Sequence, residues 1–242
     1  MKYYLGAYYF LKVRLADFGS RKGSKVCTCS TCINDSYFDA WSISWSSSGN
    51  SGLKEAREEF NLTTSQIKEI QTWADQKFEE KKIGWVNTFS DFDTLHEYKE
   101  RFFATAQDYQ IFSVNFPETE KDALIAEFVV EGKDIGAIGL WDNVNRQIPE
   151  VADESEKVIG YDLIGIEASG DFHTFHCHDI ADDLVDKFGV QINQYGLIAN
   201  DNNWEKLVEY MNAEENGFEP VLWFFVKVKL VDEKKKPVSK VV

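Results

Sequence analysis

Positive charge is scarce in this chain. Twenty-six Lys and Arg face 41 Asp and Glu, a formal charge of −15 over 242 residues. Phosphate-backbone binding is driven by Lys and Arg releasing counterions, so this balance argues against nucleic acid as a direct ligand. A basic protein or a cation fits better, because opposite fields steer encounter; the plain alternative is a charge that only keeps the chain soluble. Cysteine is also scarce: four in a chain this long do not make a disulfide scaffold. No apolar run approaches the roughly 20 residues that span a bilayer, so no membrane segment is expected. The opening MKYYLGAYYFLKVRL lacks a small-residue cleavage site, and tyrosines interrupt its apolar run, so it reads as a strand rather than a signal peptide. A cytoplasmic address with reduced thiols follows as an expectation. There is no P-loop, no G-x-G-x-x-G, no G-x-S-x-G and no internal repeat.

What is present is a large apolar complement, 43% hydrophobic and 14% aromatic, enough for a ring-rich core. Taken in order, Tyr3–Leu15 reads as a strand and Asp17–Lys25 as a glycine-bearing loop. Trp41, Ile43 and Trp45 alternate with serines, as in a short strand, before a loop over Ser46–Gly52 and a short helix over Leu53–Phe60. Thr63 and Gln66 have capping-box spacing ahead of Ile67, Ile70, Trp73, Ala74 and Phe78 at helical intervals. Thr94 and Glu97 offer a second box, for a helix through Ala106. Tyr109–Phe116 reads as a strand, and Pro117 opens a helix with acids in its first turn. Gly132–Leu140 is ambiguous, and Trp141–Lys157 reads as a long loop. Val158–Ala168 is the strongest strand. Asp179 is expected to cap a helix with Ile180, Leu184, Val185 and Phe188 on one stripe, stopped by Gly189. Trp204–Asn212 reads as a short helix. A last strand from Val221 carries Lys227 and Lys229 in alternation, the pattern of an exposed edge, and the charged tail from Asp232 should fray.

Strands and helices alternate irregularly, so the expected fold is α+β: a single domain over 1–242, with a mixed, largely antiparallel β-sheet flanked by helices and a possible subdivision near 141–157.

Two segments could carry chemistry. Cys27, Cys29 and Cys32 form C-x-C-x-x-C, and thiolates so spaced can share a soft ion. Zinc normally takes four ligands, and Cys177 is available as the fourth, or one of His173, His176 and His178. The second segment, H-x-x-H-C-H over 173–178, is not the zincin pattern H-E-x-x-H. Phe172 and Phe175 interleave with its histidines, as in a packed turn. Cys177 between two histidines also raises a thiol nucleophile, whose pKa a following helix N-terminus would lower. The alternative for the cysteines is burial as small hydrophobes.

With these residues set out, the C-terminal runs GYDLIGIE, GDFHTFHCHDI, DLVDKFG, NQYGLI and EPVLWFFV, together with CSTCIND and SYFDAWSISW, resemble bacterial proteins encoded beside polymorphic toxins and regarded as immunity proteins. The resemblance implies a non-enzymatic protein-binding module that blocks one cognate toxin, and no active-site residues. Many toxins that act on nucleic acid are basic, so an acidic partner would associate with them quickly. The competing expectations are a metal- or thiol-dependent enzyme using 27–32 and 173–178, and a zinc-stapled structural or interaction protein.

Overall fold

Nine strands and six α-helices are found among the residues that the computed structural model describes, which are 1–30, 33, 61–84, 88–106, 109–130, 133–134, 140–167 and 172–237. The strands are β1 (Tyr3–Lys12), β2 (Arg14–Phe18), β3 (Arg21–Val26), β4 (Tyr109–Pro117), β5 (Val129–Val130), β6 (Lys133–Asp134), β7 (Glu156–Ile166), β8 (Phe172–Thr174) and β9 (Leu222–Val231). The helices are α1 (Thr64–Glu79), α2 (Phe92–Phe102), α3 (Lys121–Phe128), α4 (Leu140–Asn145), α5 (Ala181–Phe188) and α6 (Trp204–Asn212). The expected elements over 41–60 lie outside the described residues, as do Cys32 and the turn at 169–171.

Five strands form the main sheet in the order β1-β4-β9-β7-β8, and every pairing in it is antiparallel. The fold is α+β, with helices on the sheet. Period two decides which side chains meet them. Phe224, Val226 and Val228 of β9 face one side, with Phe112, Val114, Phe116, Ile164 and Ile166, under Leu124, Leu140 and Val144 of α3 and α4. The other face is covered in two places. At one end, Ile70 and Trp73 of α1 and Leu95 and Tyr98 of α2 pack on Leu5, Tyr8, Phe10 and Ile111. At the other, Leu184 of α5 and Leu207 and Met211 of α6 pack on Leu163, Trp223 and Phe225.

Local signals hold where chemistry within one turn suffices. Thr63 and Gln66 make both bonds of the capping box that starts α1, and Gly189 ends α5 in the left-handed region at φ +66°. Elsewhere a stronger partner wins. The α2 cap is Asp91, whose Oδ1 accepts from the Thr94 N–H at 2.8 Å and its hydroxyl at 2.9 Å; a carboxylate outcompetes a hydroxyl at the positive end of a helix. Glu97 instead accepts from Trp73 Nε1 at 2.6 Å. The expected loop Asp17–Lys25 is largely the hairpin β2–β3.

Three expectations of exposure fail because a distant segment covers the site. Trp141–Lys157 is no plain loop: α4 buries Trp141 and Val144, and Ile148 and Glu150 then bond to the free edge of β1 through Leu5 N and Tyr3 O. Lys227 and Lys229 do not mark an edge, since β9 is the central strand. Glu150 holds both, at 2.9 Å from each Nζ, and Lys229 is 4% exposed. The tail does not fray at Asp232, because residues 232–237 lie back across the sheet, with the Asp232 N–H on the Ser155 carbonyl at 2.8 Å.

Candidate functional site

The hairpin β2–β3 brings the two chemistry-bearing segments together. Its turn docks on the start of α5: Gly19 N donates to Asp179 Oδ1 at 2.9 Å, Ser20 N to Asp182 Oδ2 at 2.7 Å, and Arg21 Nη1 to Asp182 Oδ1 at 2.5 Å. The bonds from Ser20 and the Arg21 charge hold the Asp182 carboxyl below its ordinary range. Asp179 is therefore a clamp rather than the expected helix cap; its backbone is left-handed at φ 54°, and Ile180 takes the cap position. A second clamp is His176. Its ring stacks on Phe18 at 4.0 Å between centroids, and Nε2 lies 2.6 Å from the Gly196 carbonyl oxygen. A carbonyl only accepts, so Nε2 carries the proton. Burial pushes the pKa of His176 down to about 4, which keeps the ring neutral. The approach is close enough to require glycine at 196: a Cβ there would meet the Lys25 carbonyl oxygen at 2.6 Å.

With the hairpin so held, residues 27–30 run beneath the turn 173–178. Ser30 Oγ lies 3.4 Å from Cys177 Sγ, and the Thr174 N–H donates to the same sulfur at 3.3 Å. Cys29 is buried. Burial pushes the Cys27 thiol up to about 12 and Cys29 well above its ordinary value, so both remain protonated near neutrality, a state suited neither to attack nor to ligation. Among the described residues, no group of three or more His, Cys, Asp or Glu is placed to hold a metal ion; Cys32 is outside them.

The remaining histidines face a different way. His173 Nε2 lies 2.8 Å from Glu167, its Nδ1 lies 3.8 Å from Glu219, and His178 Nε2 pairs with Glu219. The rings of Trp223 and Phe218 flank His178. The Nε2 atoms of both histidines that flank Cys177 in sequence thus serve other partners.

Sequence reading missed the most unusual group here. Asp162 on β7 is 1% exposed, on the same face as Ile164 and Ile166. Thr174 Oγ1 donates to its Oδ1 at 2.6 Å, and the Thr28 hydroxyl also favours its charged form. Oδ2 has no hydrogen-bond partner. Burial raises the pKa to about 6. A signal was available: in a period-two strand, an acid in register with two isoleucines points inward.

The segment that carries the turn, α5 and α6 is acidic as a whole, the clamp acids Asp179 and Asp182 included. Residues 172–220 hold ten acids against Lys187 and Lys206, a net −8. Asp183 and Asp186 on α5, and Glu205 and Glu209 on α6, are exposed and form no salt bridge among the described residues, although Asp183 lies near enough to Lys187 to interact with its charge.

No family model matches the chain, and no curated protein or solved structure matches it. Among the described residues, no helix is long and apolar enough to cross a membrane.

Proposed function

We propose that this chain is a non-enzymatic protein-binding module, an immunity protein that neutralises a basic bacterial toxin. The observation that carries the reading is the acidic outer face of α5 and α6, with exposed carboxylates at 183, 186, 205 and 209 that form no salt bridge among the described residues, Lys187 acting on Asp183 alone and from a distance. Unpaired surface acids of one sign accelerate capture of a basic partner and add specificity more than raw affinity. The buried Cys, His and Asp groups beneath are used internally, which accords with a scaffold for that face. The test is co-expression with the basic toxin encoded beside the gene, followed by binding kinetics. Growth should be restored. Reversing Asp183, Asp186, Glu205 and Glu209 to Lys should slow association about tenfold, as should raised salt. Unprotected cells, or association indifferent to both changes, would sink the proposal.

A second reading is a structural zinc ion held by Cys27, Cys29, Cys32 and Cys177; the contact of Ser30 with Cys177 supports it, while Cys27, Cys29 and Cys177 would have to draw together to share the ion. Binding would strip the thiol protons. Elemental analysis of the purified chain decides it: less than one zinc per chain in freshly prepared protein removes this reading.

A further inference from the structure

The tail of the chain ends in a built site. Lys236 reaches back 80 residues to Glu156, whose side chain is fully buried, and its own side chain is only 8% exposed. Lys236 Nζ also donates to Tyr8 Oη at 2.9 Å and stands 4.8 Å from the Tyr8 ring centre and 5.4 Å from that of Phe92. The two rings are 68° apart, so they form two walls of a corner. Glu156 is braced from behind: Tyr8 Oη donates to Oε1 at 2.8 Å and Ser113 Oγ to Oε2 at 2.7 Å. Two aromatic faces, a carboxylate and a phenol oxygen are what an ammonium group binds best when removed from water.

The segment that delivers Lys236 is held differently. Residues 232–237 bury no apolar side chain. Their other side-chain anchors are Glu233, on Lys99 at 2.9 Å and accepting from the Tyr109 hydroxyl at 3.4 Å, and Lys235 on Glu154 at 3.1 Å, and exposed pairs of the last kind contribute little. An open groove of about 480 Å³, lined by Tyr109, Leu230 and Glu154 among others, already brings solvent to the flank of this strap. A buried ion pair is seldom the most stabilising filling for such a space; an apolar one is often as good or better. The pair is therefore better suited to exchange than to bulk stability.

We propose that Tyr8, Phe92 and Glu156 form a primary-ammonium cage that Lys236 fills in cis, and that a lysine side chain of a basic protein partner takes its place when the strap 232–237 lifts. This rests on the protein-binding reading for the identity of the occupant, while the cage itself is tested without any toxin. The carboxylate and phenol oxygens need N–H donors, so the site prefers a primary ammonium to a trimethylated one.

The experiment uses the full chain and N-acetyl-lysine methylamide. In wild-type protein, a high and salt-matched concentration of the probe should speed amide exchange of peptide 232–237 several-fold, because it competes with Lys236 for the cage. In Lys236→Ala protein the cis occupant is gone, so the probe should bind at least about tenfold more tightly than to wild type. That binding should be lost on adding Glu156→Gln, and the trimethylated probe should bind about tenfold more weakly. Two results overturn the proposal: no saturable binding by Lys236→Ala protein whose circular dichroism matches wild type, or binding that survives Glu156→Gln. Should Lys236→Ala fail to fold, unchanged exchange at 232–237 in wild type overturns it alone. Loss of toxin binding with the cage responses intact would count against the immunity reading and not against the cage.

Discussion

Two acids on one strand have opposite surroundings. Glu156 and Asp162 both belong to β7 and both are buried. Glu156 accepts from Tyr8, Ser113 and Lys236, a full set that includes a cation. Asp162 has neutral donors only, the Thr174 and Thr28 hydroxyls and the Leu163 backbone, and no countercharge. Both carboxylates are out of water; they differ in whether the fold delivers a countercharge beside the neutral donors. The end of β7 that meets the C-terminal strap has both. The middle of the strand, beneath the turn 173–178, offers Asp162 two threonine hydroxyls and the Leu163 backbone N–H but no cation, and there burial raises the pKa to about 6.

The comparison is broken most severely by Lys236→Ala, which strands Glu156 in the interior. Removing one partner of a buried pair costs about 3–5 kcal/mol. Urea unfolding near neutral pH should show a loss of that order. A loss below about 1 kcal/mol at neutral pH would mean that the pair carries no structural weight.

Next in size is the pH response of Asp162. Its folded pKa, about 6, lies above the ordinary 3.8, so the folded state holds the proton more tightly than the unfolded chain. Its contribution is fully present below about pH 4 and is lost as pH rises to about 6, a change of about 3 kcal/mol. Asp162→Asn should remove that slope from the stability-against-pH curve. An unchanged slope would show that Asp162 is ionised in the fold at no cost.

The smallest of the three changes refines the contrast. Thr174→Val keeps the shape of the side chain and deletes the donor to Asp162 Oδ1. A hydrogen bond to a charged acceptor contributes about 1.5–3 kcal/mol, so the variant should lose about 2 kcal/mol near neutral pH and less near pH 4, where the acid is protonated. Equal losses at the two pH values would place the effect in packing rather than charge.

Much of this fold was legible because its signals are local. The Thr63–Gln66 box, the Ile67, Ile70, Trp73 and Ala74 stripe of α1, the Gly189 stop and the helix Trp204–Asn212 need only neighbours within one or two turns. The alternating apolar runs of β7 and β9 identified strands that share a core. The junction was legible in part. Cys27, Cys29 and Cys177 stood out by residue type, and the structure does lay segment 27–30 against Cys177. Neither the hairpin clamp through Asp179 and Asp182 nor the buried Asp162 was read from them.

What the sequence determined by itself was the α+β character, the period of each long element and the acidic balance, since these depend on residue type and spacing of a few positions. What only the tertiary structure decided was the fate of the charges. Lys227 and Lys229 looked like the marks of an edge and proved to be pinned in the sheet centre by Glu150. Lys236 looked like a frayed tail and is buried on Glu156. Asp182, on the first turn of α5, holds Arg21, 161 residues away. A charge takes whatever countercharge the folded chain places within a few ångströms, and at separations of 77 to 161 residues no periodicity or spacing along the chain encodes which one that is.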